Sequence, residues 1–223
     1  VNDKDFLVKL LRDKGACDSS MEWTRGLPDG TTLEEAWNAC PWVDWLGWLL
    51  TNLHRYEGIP LETLVLVSCA LVRAMYKGNP DDEVPDDAER VLSYSASWAK
   101  GEGASLTHVK DAVRALEVWM RVMTPVRRAG ACAAAARSVG WLVGVAGQDD
   151  YGLSSFETIY GGAARNAYST VRPHVDWQGW QAWNKTLCAA VRDVVPWSAV
   201  WAGVQKAGWE PKANEEDKEN DER

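Results

Sequence analysis

The chain has 223 residues, 46% of them hydrophobic, enough to bury a conventional core without metal or disulfide support. Its formal charge of −8 repels nucleic-acid phosphate and argues against a DNA- or RNA-binding role. Fourteen tryptophans against two phenylalanines make indole the main aromatic packing group, each carrying one N–H that wants an acceptor.

Apolar residues recur at helical spacing nearly throughout. Asp5 to Lys14 reads as a first helix, with Phe6, Leu7, Leu10 and Leu11 on one stripe and Gly15 as its stop. A short helix from Asp18 to Arg25 ends at Gly26, and Leu27-Pro28-Asp29-Gly30 is a turn. Thr32 with Glu35 is a capping box opening a helix that stops near Cys40-Pro41. From Trp42 to His54, one broad apolar face carries Trp42, Trp45, Leu46, Leu49, Leu50 and Leu53, with Trp48 at its edge. Asp44, Gly47, Thr51 and His54 fall on the opposite, polar face.

Leu61 to Lys77 is apolar on nearly every side, which predicts a central, buried helix. Residues 78–82 break it, and Pro85 opens another helix to about Ala99. Leu106–Met123 follows. Pro125–Ala146 is rich in Ala, with Gly130, Gly140 and Gly144 permitting close helix approach. Ser154 with Glu157 predicts a capped helix to about Thr170, then come Trp177–Val194 and Trp197–Gly208, separated by Pro196. No strand pattern competes. The fold class expected is all-α, a compact multi-helix bundle of roughly eight to ten helices without significant sheet. Residues 1–209 form a single helical domain in this reading. Residues 210–223, with seven acids against three bases, form a flexible acidic tail.

Cys17, Cys40, Cys69, Cys132 and Cys188 are odd in number, widely spaced and without C-x-x-C, so neither a disulfide framework nor a zinc knuckle is expected. Reduced cysteines, a charged opening segment and no apolar run longer than about Leu64–Val72 point to a cytoplasmic protein without membrane partners.

Chemistry-bearing patterns are sparse. His54-x-x-Glu57 and His108-x-x-Asp111 have helix-compatible spacing, but a metal needs further ligands, and capping is the preferred reading. No nucleophile motif and no phosphate-binding glycine pattern occurs. Asp81, Asp82, Asp86 and Asp87 read as solvated capping acids. No catalytic residue, metal site or cofactor is expected. The best binding candidate is the N-terminal cluster of Trp23, Arg25, Trp37, Asp44, Trp45 and Trp48, drawn from three short helices. It reads first as a packed corner with a satisfied ion pair, second as a pocket. Trp42-x-x-Trp45-x-x-Trp48 is echoed by Trp177-x-x-Trp180-x-x-Trp183, two helices that each need a wide aromatic face.

Gly15-Ala16-Cys17, Trp23, Leu33-Glu34-Glu35-Ala36-Trp37, Cys40 and Asp44-Trp45-Leu46-Gly47-Trp48-Leu49 resemble the opening of the Imm-5-like immunity-protein family of phage and bacteria, over residues 7–53. The resemblance implies a helical fold, a host bacterial cell, and a role in neutralising or modulating another macromolecule, with a bacterial or phage protein as partner. It carries no catalytic residues. The alternative is a small-molecule binder that sequesters a nucleotide signal on stacked indoles, with Arg121, Arg127, Arg128 and Arg137 in reserve for phosphate. The Gly- and Ala-rich helix could equally support a homodimer interface.

Overall fold

The computed structural model describes residues 2–76, 85–122, 127–144 and 177–209. Among these, the backbone forms ten α-helices and no strand, so the chain is all-α as its periodicity predicts. They are α1 (Asp3–Asp13), α2 (Asp18–Arg25), α3 (Leu33–Ala39), α4 (Val43–Arg55), α5 (Leu61–Tyr76), α6 (Asp86–Ala99), α7 (Leu106–Val122), α8 (Arg127–Gly144), α9 (Trp177–Val194) and α10 (Trp197–Lys206). The expected helix over 154–170, with its Ser154–Glu157 cap, and the acidic tail lie outside the described residues.

The short N-terminal helices are punctuated by their caps. The Asn2 side chain accepts the Asp5 N–H at 2.8 Å to open α1. Gly15, at φ +75°, turns the chain out of α1 in a conformation that glycine adopts freely. The Thr32 capping box is complete: Thr32 Oγ1 accepts from the Glu35 N–H (3.1 Å) and Glu35 Oε2 from the Thr32 N–H (2.8 Å). Val195-Pro196 breaks the last helical stretch, and α9 and α10 meet at 68°.

Helices α5, α6 and α8 pack on one another and α7 packs on α6 and α8, with α5 also against α9. Their interior is aliphatic: Leu64, Leu71, Leu92, Leu116 and Leu142 are completely buried. As expected, α5 is central, burying Val65, Val67, Cys69, Val72 and Met75 as well. Gly140 lets α8 close on its neighbours. A Cβ there would stand 2.3 Å from Val113 Cγ2 and 3.0 Å from Val91 Cγ1. No single described helix is long and apolar enough to cross a membrane.

On the other side of α9 stands α4, and beyond it α1, α2 and α3, with α10 against α3 and α4. One buried cluster runs continuously from Phe6 to Trp209. The chain nearly touches itself where Gly58 meets α10: a Cβ at Gly58 would lie 2.4 Å from the Gly203 carbonyl oxygen. The α4 reading needs correction. Its expected polar face is not solvated: Gly47 and Thr51 are buried, and Asp44 and His54 are half-buried. Thr51 survives there because its Oγ1 donates to the Gly47 carbonyl at 2.8 Å. Neighbours on both sides, not periodicity, decided the burial of this helix.

Candidate functional site: an indole-lined cavity

Between α1–α4 and α10 the molecule encloses a cavity of about 940 Å³, partly open to solvent. Drug-sized ligand sites commonly fall at roughly 300–1,000 Å³. Among the described residues six tryptophans line it: Trp23 from α2, Trp37 from α3, Trp42, Trp45 and Trp48 at the start of α4, and Trp197 opening α10. Aliphatic wall is supplied by Leu7, Leu10, Leu46, Leu49, Val200 and Val204.

The indoles are braced against each other. Trp45 stands between Trp23 (ring centroids 5.7 Å apart, planes at 52°) and Trp42 (6.1 Å, 59°). Such tilted contacts are favourable for aromatic quadrupoles and make rigid walls. Trp197 stacks on Trp201 at 6.0 Å. The back wall is tied down from across the sequence. Arg192 of α9 donates to the Trp37 carbonyl (2.8 and 3.1 Å) and to the Cys40 carbonyl (2.6 Å), satisfying the open end of α3 with a cation. The Asn184 side chain accepts from the Val43 N–H, at 3.5 Å, where α4 begins. Helix α9 is thus the strut that sets α3 against α4.

Polar groups on the wall are few. Among the described residues Glu22 and Asp44 are its charged members, with Cys17, Ser19, Ser20 and Thr24 beside them. Thr24 Oγ1 donates to Ser20 O (2.9 Å) and Ser20 Oγ to Cys17 O (2.7 Å), so these hydroxyls serve α2 itself. The Trp37 Nε1–H is different: it is buried and has no acceptor, although the residue is only 4% exposed. A buried N–H left unpaired costs about 1–3 kcal/mol.

Five of the six residues expected in the N-terminal cluster line this cavity: Trp23, Trp37, Asp44, Trp45 and Trp48. Arg25 does not; it is exposed at the end of α2, off the wall. The corner expected to be packed is hollow, because three short helices carry too few side chains to fill the space that braced indoles hold open. Sequence reasoning missed α10 as a wall, and it missed Cys17, Ser19 and Glu22. The amphipathic pattern of α2 was the available signal for Glu22. No local signal marks Trp197, which arrives from 150 residues away.

The other candidates are structural. His54 Nδ1 donates to the Ile59 carbonyl at 2.8 Å and closes the loop after α4. His108 Nδ1 accepts from the Ser105 N–H at 3.1 Å at the start of α7 and stacks on Tyr94. Asp87 pairs with Arg90 at 3.0 Å on the first turn of α6, while Asp81 and Asp82 lie outside the described residues. Among the described residues no three His, Cys, Asp or Glu side chains converge as a metal site. Burial pushes the Cys40 thiol up to about 11 and those of Cys69 and Cys188 up to about 12, so these three are inert as nucleophiles. Cys17 is the exposed cysteine. Partial burial pushes its pKa up, but hydrogen bonds from Ser19 and Ser20 outweigh that and hold it below its ordinary value. Arg121 is exposed on α7, Arg137 sits on α8, and neither lines the cavity.

Comparison with protein-family models, with curated proteins and with solved structures finds no match. Most of the N-terminal motif residues, Glu34, Glu35 and Gly47 excepted, have a common location. Gly15, Ala16, Cys17, Trp23, Trp37 and Cys40, together with Asp44 to Leu49 apart from Gly47, all lie on the cavity wall.

Proposed function

We propose that the protein is a non-enzymatic binding protein whose recognition element is the indole-lined cavity. The observation that carries this is a space of about 940 Å³ walled, among the described residues, by six tryptophans. Large apolar pockets with a few convergent polar groups are the usual seat of ligand recognition. The occupant is a small molecule with an apolar or aromatic body. A nucleotide is disfavoured, because the charged wall residues are both acids and no Arg, Lys or His lines the cavity among the described residues. An immunity- or inhibitor-like role in a bacterial cell, directed at a phage or bacterial protein, draws support from the N-terminal motif alone. It would use the same wall to take a partner's side chain.

Tryptophan fluorescence tests the cavity reading directly. Titration with a panel of aromatic and alkyl amphiphiles should shift or quench the emission of the wild-type chain. The response should shrink severalfold in Trp45→Leu and Trp48→Leu. Flat signals across the panel, with no protection of Cys17 from alkylation, remove the cavity as a binding site.

A further inference from the structure

We infer that the cavity's ligand is a single-headed amphiphile, with an apolar body in the hollow and one uncharged, hydrogen-bonding head at the first turns of α2; the inference rests on the pocket reading above. Among the described wall residues, those exposed to solvent are Gly15, Cys17, Ser19 and Glu22, and all four come from the α1–α2 turn and the start of α2. A Cβ placed on Gly15 would meet nothing within 4 Å, so the chain leaves room there. The mouth of the cavity is therefore also its polar side. Elsewhere the wall is mainly apolar and closed: Phe6 and Leu10 of α1, Leu46 of α4, and Val200 and Val204 of α10 are all buried. A ligand that matches this gradient carries its polar atoms at one end.

The head's chemistry follows from what the rim offers. Ser20 and Thr24 are buried and donate within α2, to the Cys17 carbonyl at 2.7 Å and the Ser20 carbonyl at 2.9 Å. The exposed pair is Ser19 Oγ and Cys17 Sγ, 3.2 Å apart, a hydroxyl and a thiol that can each donate or accept. They suit a hydroxyl, ester or amide. A charged head gains no counter-ion. No described Lys, Arg or His lines the wall to meet an anion, Asp44 already has a partner in the fold, and Glu22 stands in water, where an ion pair is worth little. A charge also keeps its water shell and holds the first methylene beside it out of the hollow, which forfeits about fourfold in affinity.

The test combines equilibrium binding with a reactive head. 1-Hexanol, 1-octanol, octanoate and octylammonium are titrated into the full chain by calorimetry and tryptophan fluorescence. Affinity should rise about fourfold per methylene between the two alcohols, and each ion should bind about threefold more weakly than octanol or worse. N-ethyl-, N-butyl- and N-hexylmaleimide, whose imide head is uncharged, then report where the head lies. The Cys17 thiolate adds across the ring double bond, the neighbouring carbon takes a proton, and nothing leaves. With rates normalised to those of glutathione, each added pair of methylenes should speed modification of Cys17 about tenfold, and octanol should suppress the gain. Octanol binding without chain-length acceleration at Cys17, or with acceleration that octanol does not suppress, overturns the head placement and leaves the cavity standing. Hexanol binding as tightly as octanol overturns the apolar body, and an ion binding as tightly as octanol overturns the uncharged head. No heat and no fluorescence change from any of the four overturns the cavity reading and the inference together.

Discussion

In the α5–α8 bundle, Leu64, Leu71, Leu92 and Leu116 are completely buried, and α8 sits so close that Gly140 has no room for a methyl group. In the α1–α4 corner, Trp23, Trp42, Trp45 and Trp48 remain half-buried around a cavity of about 940 Å³. Both regions follow the same helical periodicity. The difference lies in side-chain shape and helix length. Branched aliphatics on helices of 14 to 18 residues interdigitate to crystal-like density. Rigid indoles on helices of 7 to 13 residues brace each other and keep the backbones apart. A tryptophan-rich stretch is therefore a poor guide to a filled core.

The comparison sharpens most under truncation. Leu116→Ala should cost about 2–5 kcal/mol, read from the urea midpoint, because the bundle cannot collapse onto the gap. Trp48→Ala, beside space that is already empty, should cost less than about 2 kcal/mol; a loss equal to that of Leu116→Ala would show that the corner is as tightly packed as the bundle. Overpacking gives the next contrast. Gly140→Val should destabilise by about 1–3 kcal/mol through its clash with Val113, whereas Ala16→Leu, pointing bulk at the hollow, should be neutral or gain up to about 1 kcal/mol while blocking ligand.

Charge effects should be smaller. Partial burial pushes Glu89 up, but the Arg73 guanidinium and the Ser93 hydroxyl outweigh it and hold the carboxyl below its ordinary 4.5. A depressed carboxylate stabilises above its unfolded pKa, and that contribution disappears as pH falls through the lowered, folded value. Melting temperatures of wild type and Glu89→Gln should therefore differ at pH 6 and converge in strong acid. The gap should stay below about 1 kcal/mol, since both side chains are some 40% exposed. Alkylation should have the smallest effect on stability. Under native conditions mass spectrometry should find a single modified thiol among the described cysteines, Cys17, and reaction should stop when the cavity is occupied. Modification of Cys40, Cys69 or Cys188 at a similar rate would mean that the walls open.

Much of the fold was legible because helix ends are written locally. Thr32 and Glu35, the glycines at 15 and 26, and Pro41, Pro60 and Pro196 all mark boundaries within a residue or two of those observed. The predicted centrality of α5 held because a helix apolar on all sides has nowhere else to go. The site was legible in part. Five of its six proposed residues share a wall, but their spacing could not say whether that wall faced a core or a void. Arg25 looked like a partner for Asp44 only because both are charged and near in sequence; the turn at the end of α2 leaves it in solvent.

Periodicity, capping residues and the tally of indoles, all local properties, determined that this chain is a set of helices with aromatic faces at both ends. The hollow itself came from contacts made over long separations. Arg192 reaches back to the Trp37 and Cys40 carbonyls, Asn184 meets the start of α4, and α10 brings Trp197, Val200 and Val204 to the fourth wall. Whether facing side chains meet or leave a gap depends on the distance between helix axes, and only the packed chain sets that distance.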